Sequence, residues 1–130
     1  MILFLDKDPQ RAVMAFNRMS KEDQSNTIWC RTAQEAILTF WDYREVLTEA
    51  RLEHDLGDEP YANTRSEECG MEVVRFLERK SIEEAEEFEK LKHINIVIHT
   101  YNDHAGPIMI ERLRKIGLKV TWVPFGMEKK

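Results

Sequence analysis

Ile2-Leu3-Phe4-Leu5-Asp6-Lys7-Asp8-Pro9 is the stretch that decides the fold. Four consecutive apolar residues make the pattern of a strand covered on both faces, as a strand in a parallel sheet is. Asp6 ends the run. Asp8 is placed to cap a helix and Pro9 to open one, because the first helical N–H needs no partner inside the helix. A strand therefore passes directly into a helix, and Ala12, Val13, Phe16 and Met19 give that helix an apolar stripe.

The same alternation continues outward. Thr27-Ile28-Trp29-Cys30-Arg31 is β-branched and aromatic enough for a second strand, and Thr32-Ala33-Gln34-Glu35 follows it as a capping box. Ala33, Ala36, Ile37, Phe40 and Trp41 then recur at helical spacing as far as Tyr43. A third strand is expected over 46–53, although Glu49 and Arg51 sit where a central strand is usually apolar. Val73, Val74, Phe76 and Leu77 mark a further helix. Ser81-Ile82-Glu83-Glu84 reads as another capping box, so one kinked helix or two consecutive ones run to about Lys92. Ile94-Asn95-Ile96-Val97-Ile98 is the clearest strand of all. Gly106-Pro107 opens a last helix with Ile110, Leu113 and Ile116, closed by Gly117, and a fifth strand spans 119–125.

Five strands joined by helices, with right-handed crossovers, predict a flavodoxin-like α/β fold: a three-layer sandwich with a parallel sheet of order 2-1-3-4-5. One domain over 1–130 is expected, with no closing helix after the fifth strand. The polar loop over 58–68 is longer than most connections and reads as a lid or specificity loop.

The bulk properties exclude several classes. Of 130 residues, 42% are hydrophobic and 33% charged, the balance of a globular chain. With 24 acids against 19 bases the net charge is −5, and Glu83, Glu84, Glu86, Glu87 and Glu89 form a run that repels phosphate backbones, so broad nucleic-acid binding is not expected. Cys30 and Cys69 have neither metal-ligand nor disulfide spacing, which fits a reducing cytoplasm. Residues 1–5 are too short for a signal peptide or a membrane span, and no membrane association is expected. Trp29, Trp41 and Trp122 read as core or rim packing, and His93 and His104 as surface residues.

Ligands of open α/β sheets bind beyond the carboxyl ends of the strands, near the switch in strand order. Asp6 and Asp8 follow the first strand, Glu53, His54 and Asp55 the third, and His99, Thr100 and Asn102 the fourth. Asp6, Asp8 and Glu53 form an oxygen-rich set suited to Mg²⁺, although Asp8 also serves as a helix cap. His54 and His99 face a common ligand from neighbouring strands and are able to act as base and acid on a phosphodiester, with Asp55 or Glu53 orienting one of them. Thr100, Asn102 and Gly106 are expected to contact phosphate, Gly106 through the first turn of the last helix.

The first-strand stretch through Pro9, together with Thr100 and Pro124-Phe125, resembles the receiver domains of two-component signalling. Lys7 stands where many receivers have an acid, and Val123 where they have a lysine. A closer resemblance is to the cyclic-phosphate-processing receivers of bacteria and phages, carried by His54-Asp55-Leu56-Gly57, Gly70, Val73-Val74, His99-Thr100, Asn102 and Gly106. That resemblance spans nearly the whole chain, with Glu53 in place of the usual Asp, and either Glu53 or Asp55 matches the receiver acceptor. It implies a phosphoesterase acting on a cyclic nucleotide, another phosphate-containing small molecule or an RNA end.

Two functions are expected from the residues together with what the resemblance implies. In the first, Mg²⁺ assists hydrolysis, with His54, His99 and Asp55 as the catalytic groups. In the second, a non-catalytic pseudo-receiver binds a protein partner or sequesters a nucleotide, as a regulatory or anti-defence protein in a phage-infected bacterium.

Overall fold

A computed structural model describes residues 1–56, 65–66 and 68–124. Five strands, β1 (Ile2–Leu5), β2 (Thr27–Cys30), β3 (Glu49–Leu52), β4 (Asn95–Ile98) and β5 (Lys119–Trp122), form one parallel sheet of order β2-β1-β3-β4-β5. This is the predicted flavodoxin-like order, with the switch in direction between β1 and β3. The expected loop over 58–68 lies largely outside the described residues, as do residues 125–130, where the question of a closing helix falls; the fifth strand, expected over 119–125, ends at Trp122.

Helices α1 (Pro9–Asn17), α2 (Lys21–Ser25) and α3 (Ala33–Asp42) alternate with the first three strands. The Asp8 side chain accepts from the Gln10 N–H, and Thr32 accepts from that of Glu35, so both predicted caps form. The stripe of α1 differs from the reading. Ala12 and Ala15 are buried against Phe4 and Trp29, whereas Val13 is 58% exposed. The two small residues bring the helix close to the sheet and turn Val13 outward. Helix α2 gives no periodic signal in the sequence because it has no apolar face; Ser20 caps it and none of its residues is buried.

After β3 come α4 (Met71–Glu83), α5 (Ala85–Phe88), a 3-10 turn over Glu89–Leu91 and, after β4, α6 (Ala105–Lys115). The Ser81 capping box does not form. The Ser81 hydroxyl instead donates back to the Glu78 carbonyl, and α4 runs on to a break at Glu84, where φ is −137°. Gly117, with φ of 92°, ends α6 as expected.

The two faces of the sheet differ, and this explains the weak third-strand signal. Leu3, Leu5, Ala50, Leu52, Ile96, Ile98 and Val120 join the main core with residues of α3, α4 and α6. On the other face Phe4 lies in register with Trp29 and Arg51, Arg51 with Val97, and Val97 with Thr121. Helix α1 covers the Phe4–Trp29 end. Glu49 and Arg51, at the other end, are half-buried and pair with each other at 3.0 Å. Polar residues are tolerated in this central strand because its second face stays in contact with water.

Candidate functional site

Asp6 is held by its neighbours before any ligand is considered. Its amide donates to the Cys30 carbonyl at 3.0 Å, and the Trp29 indole N–H donates to the Asp6 carbonyl at 2.7 Å. Its carboxylate, fully buried, accepts from the Asp8 amide at 2.9 Å. Arg11, on the first turn of α1, closes over it as a fork: Nε donates to Oδ2 and Nη2 to Oδ1, both at 2.8 Å. Burial pushes Asp6 up, but hydrogen bonds from His99, Arg11 and the Asp8 amide more than offset this and hold it down at about 2. The same fork raises Arg11.

Glu53 follows β3 and is also buried. Its Oε1 accepts from the amides of His54 and Asp55 at 2.8 and 3.2 Å, which turns Oε2 toward Arg11 and His99 at 3.9 and 4.0 Å. The chain approaches closely here. A Cβ on Gly70 would lie 2.2 Å from the Glu53 carbonyl oxygen, so only glycine fits, and the Gly70 amide donates to the His54 carbonyl at 2.8 Å.

His99 reaches the pair from β4. Its ring stacks on Phe4 at 5.2 Å, and Nε2 lies 3.2 Å from Asp6 Oδ2. A carboxylate only accepts, so in the absence of a cation this ring nitrogen is the donor. Asp6, Glu53 and His99 each offer a ligand atom, all within 4.8 Å of one another. Two carboxylates and an imidazole, buried and convergent, are a donor set that fits a divalent cation. Asp8, expected in that set, caps α1 and is 39% exposed, with Oδ2 3.8 Å from Arg11.

His54 forms a second imidazole–carboxylate pair. Nδ1 donates to Asp55 Oδ1 at 3.0 Å, and Asp55 also accepts from the Asn102 amide group at 3.2 Å and the Thr100 hydroxyl at 3.4 Å. Burial pulls His54 down, yet Cys69 and Asp55 together raise it, while His54 lowers the Cys69 thiol against its own burial. The expected phosphate contacts are spent inside the protein. Asn102 Oδ1 accepts from the amides of His104 and Ala105, its carbonyl accepts from Gly106 N–H at 2.8 Å, and the Thr100 hydroxyl accepts from Asn102 N–H. These residues fix Asp55 and the start of α6. The Trp122 indole N–H donates to the Thr100 carbonyl at 2.8 Å and its ring covers Gly106.

A family model described as the cyclic-phosphate processing receiver domain matches residues 1–115. The chain belongs to this receiver family. Among solved structures it is similar to the signal receiver domain of a protein assigned as a Luxo repressor from Vibrio parahaemolyticus, with a TM-score of 0.58 and 12% identity over 98% of this chain and 78% of that one. At that identity the likeness concerns the fold alone. No curated protein matches in sequence.

The strand ends thus bring together Asp6, Glu53 and His99 in one group and His54, Asp55, Thr100 and Asn102 in an adjoining one. Sequence reasoning missed Arg11 and Cys69. Arg11 had a signal, since a cation three residues after Asp8 on the first helical turn points back at the strand end. Cys69 had none, because its contact with His54 depends on the close approach at Gly70. Among the described residues no helix is long and apolar enough to cross a membrane.

Proposed function

We propose that this receiver-like domain is a phosphoesterase acting on cyclic phosphate esters, with a cation-holding half and a proton-transferring half. The observation that carries the reading is that two imidazoles, at the ends of the adjacent strands β3 and β4, each rest on their own carboxylate, at 3.0 and 3.2 Å. Asp6, Glu53 and His99 would hold a divalent cation, with Asp8 at the rim. When bound, the cation would neutralise charge on the phosphate and act as a Lewis acid. Mg²⁺ was expected from carboxylates alone, whereas the imidazole widens the choice toward Mn²⁺ and related ions.

His54 carries the proton. Asp55 fixes its ring through Nδ1, so Nε2 takes the proton from an attacking water as the water oxygen bonds to phosphorus. The P–O bond to one ring oxygen breaks, and His54 returns the proton to that oxygen. Thr100 and Asn102 act by holding Asp55, and Gly106 by letting Trp122 lie flat on α6. Exposure of Thr100 and Asn102 to phosphate would require them to exchange bonds they now make within the protein. Phosphate-bearing small molecules and RNA ends share the required chemistry.

Incubation with 2′,3′-cyclic mononucleotides and cyclic dinucleotides, with Mg²⁺ or Mn²⁺, tests the proposal. Ring opening that depends on the cation is expected, and His54→Ala should slow it by roughly a hundredfold or more. Absence of turnover for every substrate with both ions would sink it.

One observation favours a second reading. His54 and His99 are 0% and 1% exposed, so a ligand meets the rim groups Arg11, Asp8 and Asp55 first. A domain that sequesters a nucleotide or engages a protein without chemistry needs no more than that rim. Calorimetric binding of a cyclic nucleotide with no product formed over hours would establish this reading instead.

A further inference from the structure

Arg11 already holds both oxygens of the buried carboxylate, Asp6, that a cation in this acidic group would need. Its guanidinium spans both oxygens of Asp6 at 2.8 Å and lies 3.9 Å from Glu53. The critical atom is Asp6 Oδ2, which accepts from Arg11 Nε at 2.8 Å and from His99 Nε2 at 3.2 Å. A divalent ion held by Asp6, Glu53 and His99 would need a carboxylate oxygen of Asp6 at a coordination distance of about 2.1 Å, and both of those oxygens accept from Arg11, whose positive charge would stand beside the ion. The fork and the ion compete for one carboxylate.

Arg11 is also built to leave. Its side chain is 31% exposed, whereas those of Asp6 and Glu53 are 0% and 4% exposed. The residue sits on the first turn of α1, and its Nη1 already lies 3.8 Å from Oδ2 of the half-exposed Asp8 at the rim. Released there, a guanidinium is a bidentate partner for phosphate oxygens.

We infer that Arg11 is a tethered counter-ion of the acidic pocket, which a divalent cation displaces and which then anchors the anionic group of the ligand. The inference rests on the cation-holding half of the function proposed above. It makes cation and phosphate binding mutually reinforcing: the ion frees Arg11, and an anion that holds Arg11 at the rim keeps Asp6 open to the ion. Such coupling is reciprocal by thermodynamic necessity.

Binding of Mn²⁺ to the full chain, followed by electron paramagnetic resonance with and without inorganic phosphate, tests this with no turnover involved. In wild type, phosphate should tighten Mn²⁺ binding by about fivefold or more. In Arg11→Gln, Mn²⁺ alone should bind about tenfold more tightly than in wild type, and phosphate should no longer help. Arg11→Lys, which keeps the charge but loses the fork, should fall between the two and serves as the folded control, with helicity and melting followed for both variants. Unchanged or weaker Mn²⁺ binding in both variants would overturn the inference, as would an equal phosphate effect in wild type and Arg11→Gln. Failure of Mn²⁺ to bind any of the three proteins would overturn it too. The turnover assay is separate, so hydrolysis that persists without an Arg11 effect distinguishes failure of this inference from failure of the proposed activity.

Discussion

His99 Nε2 meets Asp6 Oδ2 at 3.2 Å across 93 residues of sequence, with the His99 ring stacked on Phe4 from the same strand that delivers Asp6. The sheet places them: β1 and β4 both flank β3, and all three strands end at one level. An acid from the first strand and an imidazole from the fourth thus become a single unit.

Acid stability should report this unit. Asp6 is lowered from 3.8 to about 2, so it contributes stability that is fully present above the ordinary carboxylate value and is lost as pH falls toward about 2. The contribution amounts to about 2 kcal/mol. Urea unfolding of the cation-free protein between pH 6 and 2 should show that loss, and Arg11→Gln should flatten it.

His54 predicts the opposite sign. Its pKa is raised by Cys69 and Asp55 against the pull of burial, so its stabilisation is fully present below the ordinary histidine value and is lost as pH rises through the higher folded one. Nitrogen NMR of the imidazole should show titration above the ordinary histidine value in wild type, and a downward move in both Cys69→Ala and Asp55→Asn. No change in either variant would remove these contacts as the cause.

Gly70 should tolerate nothing larger. A Cβ there meets backbone atoms, the Glu53 carbonyl oxygen at 2.2 Å and the His54 Cα at 2.8 Å, and neither has a soft side chain to move. Gly70→Ala should cost about 3 kcal/mol in chemical denaturation. Gly106→Ala, whose Cβ would meet first the Trp122 ring at 3.0 to 3.2 Å, should cost less, because an indole at the rim can shift. Equal losses in the two variants would contradict this account of the strand-end packing.

Trp122→Phe removes the indole donor to the Thr100 carbonyl and should cost about 1 kcal/mol. Because Thr100 holds Asp55, the variant should also move the His54 imidazole resonances. A stability loss with unchanged His54 resonances would confine Trp122 to packing.

Much of this was legible because the carboxyl ends of the strands are punctuated by polar residues. Asp6, Glu53, His54, Asp55, His99, Thr100 and Asn102 all stand at such ends, and the fold order alone brings them together. What was not legible depends on side-chain direction. Asp8 looked equivalent to Asp6 by spacing, but its carboxylate turns to the Gln10 amide and spends itself as a cap. Nor does spacing show that Thr100 and Asn102 bond to Asp55 and that Asn102 holds the start of α6. The resemblance to receivers directs attention to the lysine that Val123 replaces on the fifth strand, whereas the cation bonded to Asp6 comes from α1, as Arg11. The third strand was obscured by Glu49 and Arg51, since periodicity cannot tell a half-covered central strand from an irregular one.

The most direct test of the account is a crystal structure of the protein soaked with Mn²⁺ and a non-hydrolysable cyclic nucleotide analogue. The account predicts anomalous Mn²⁺ density ligated by Asp6, Glu53 and His99, with the phosphate within hydrogen-bonding distance of His54. A cation or nucleotide bound away from these strand ends, with Asp6 and Glu53 unligated, would contradict it.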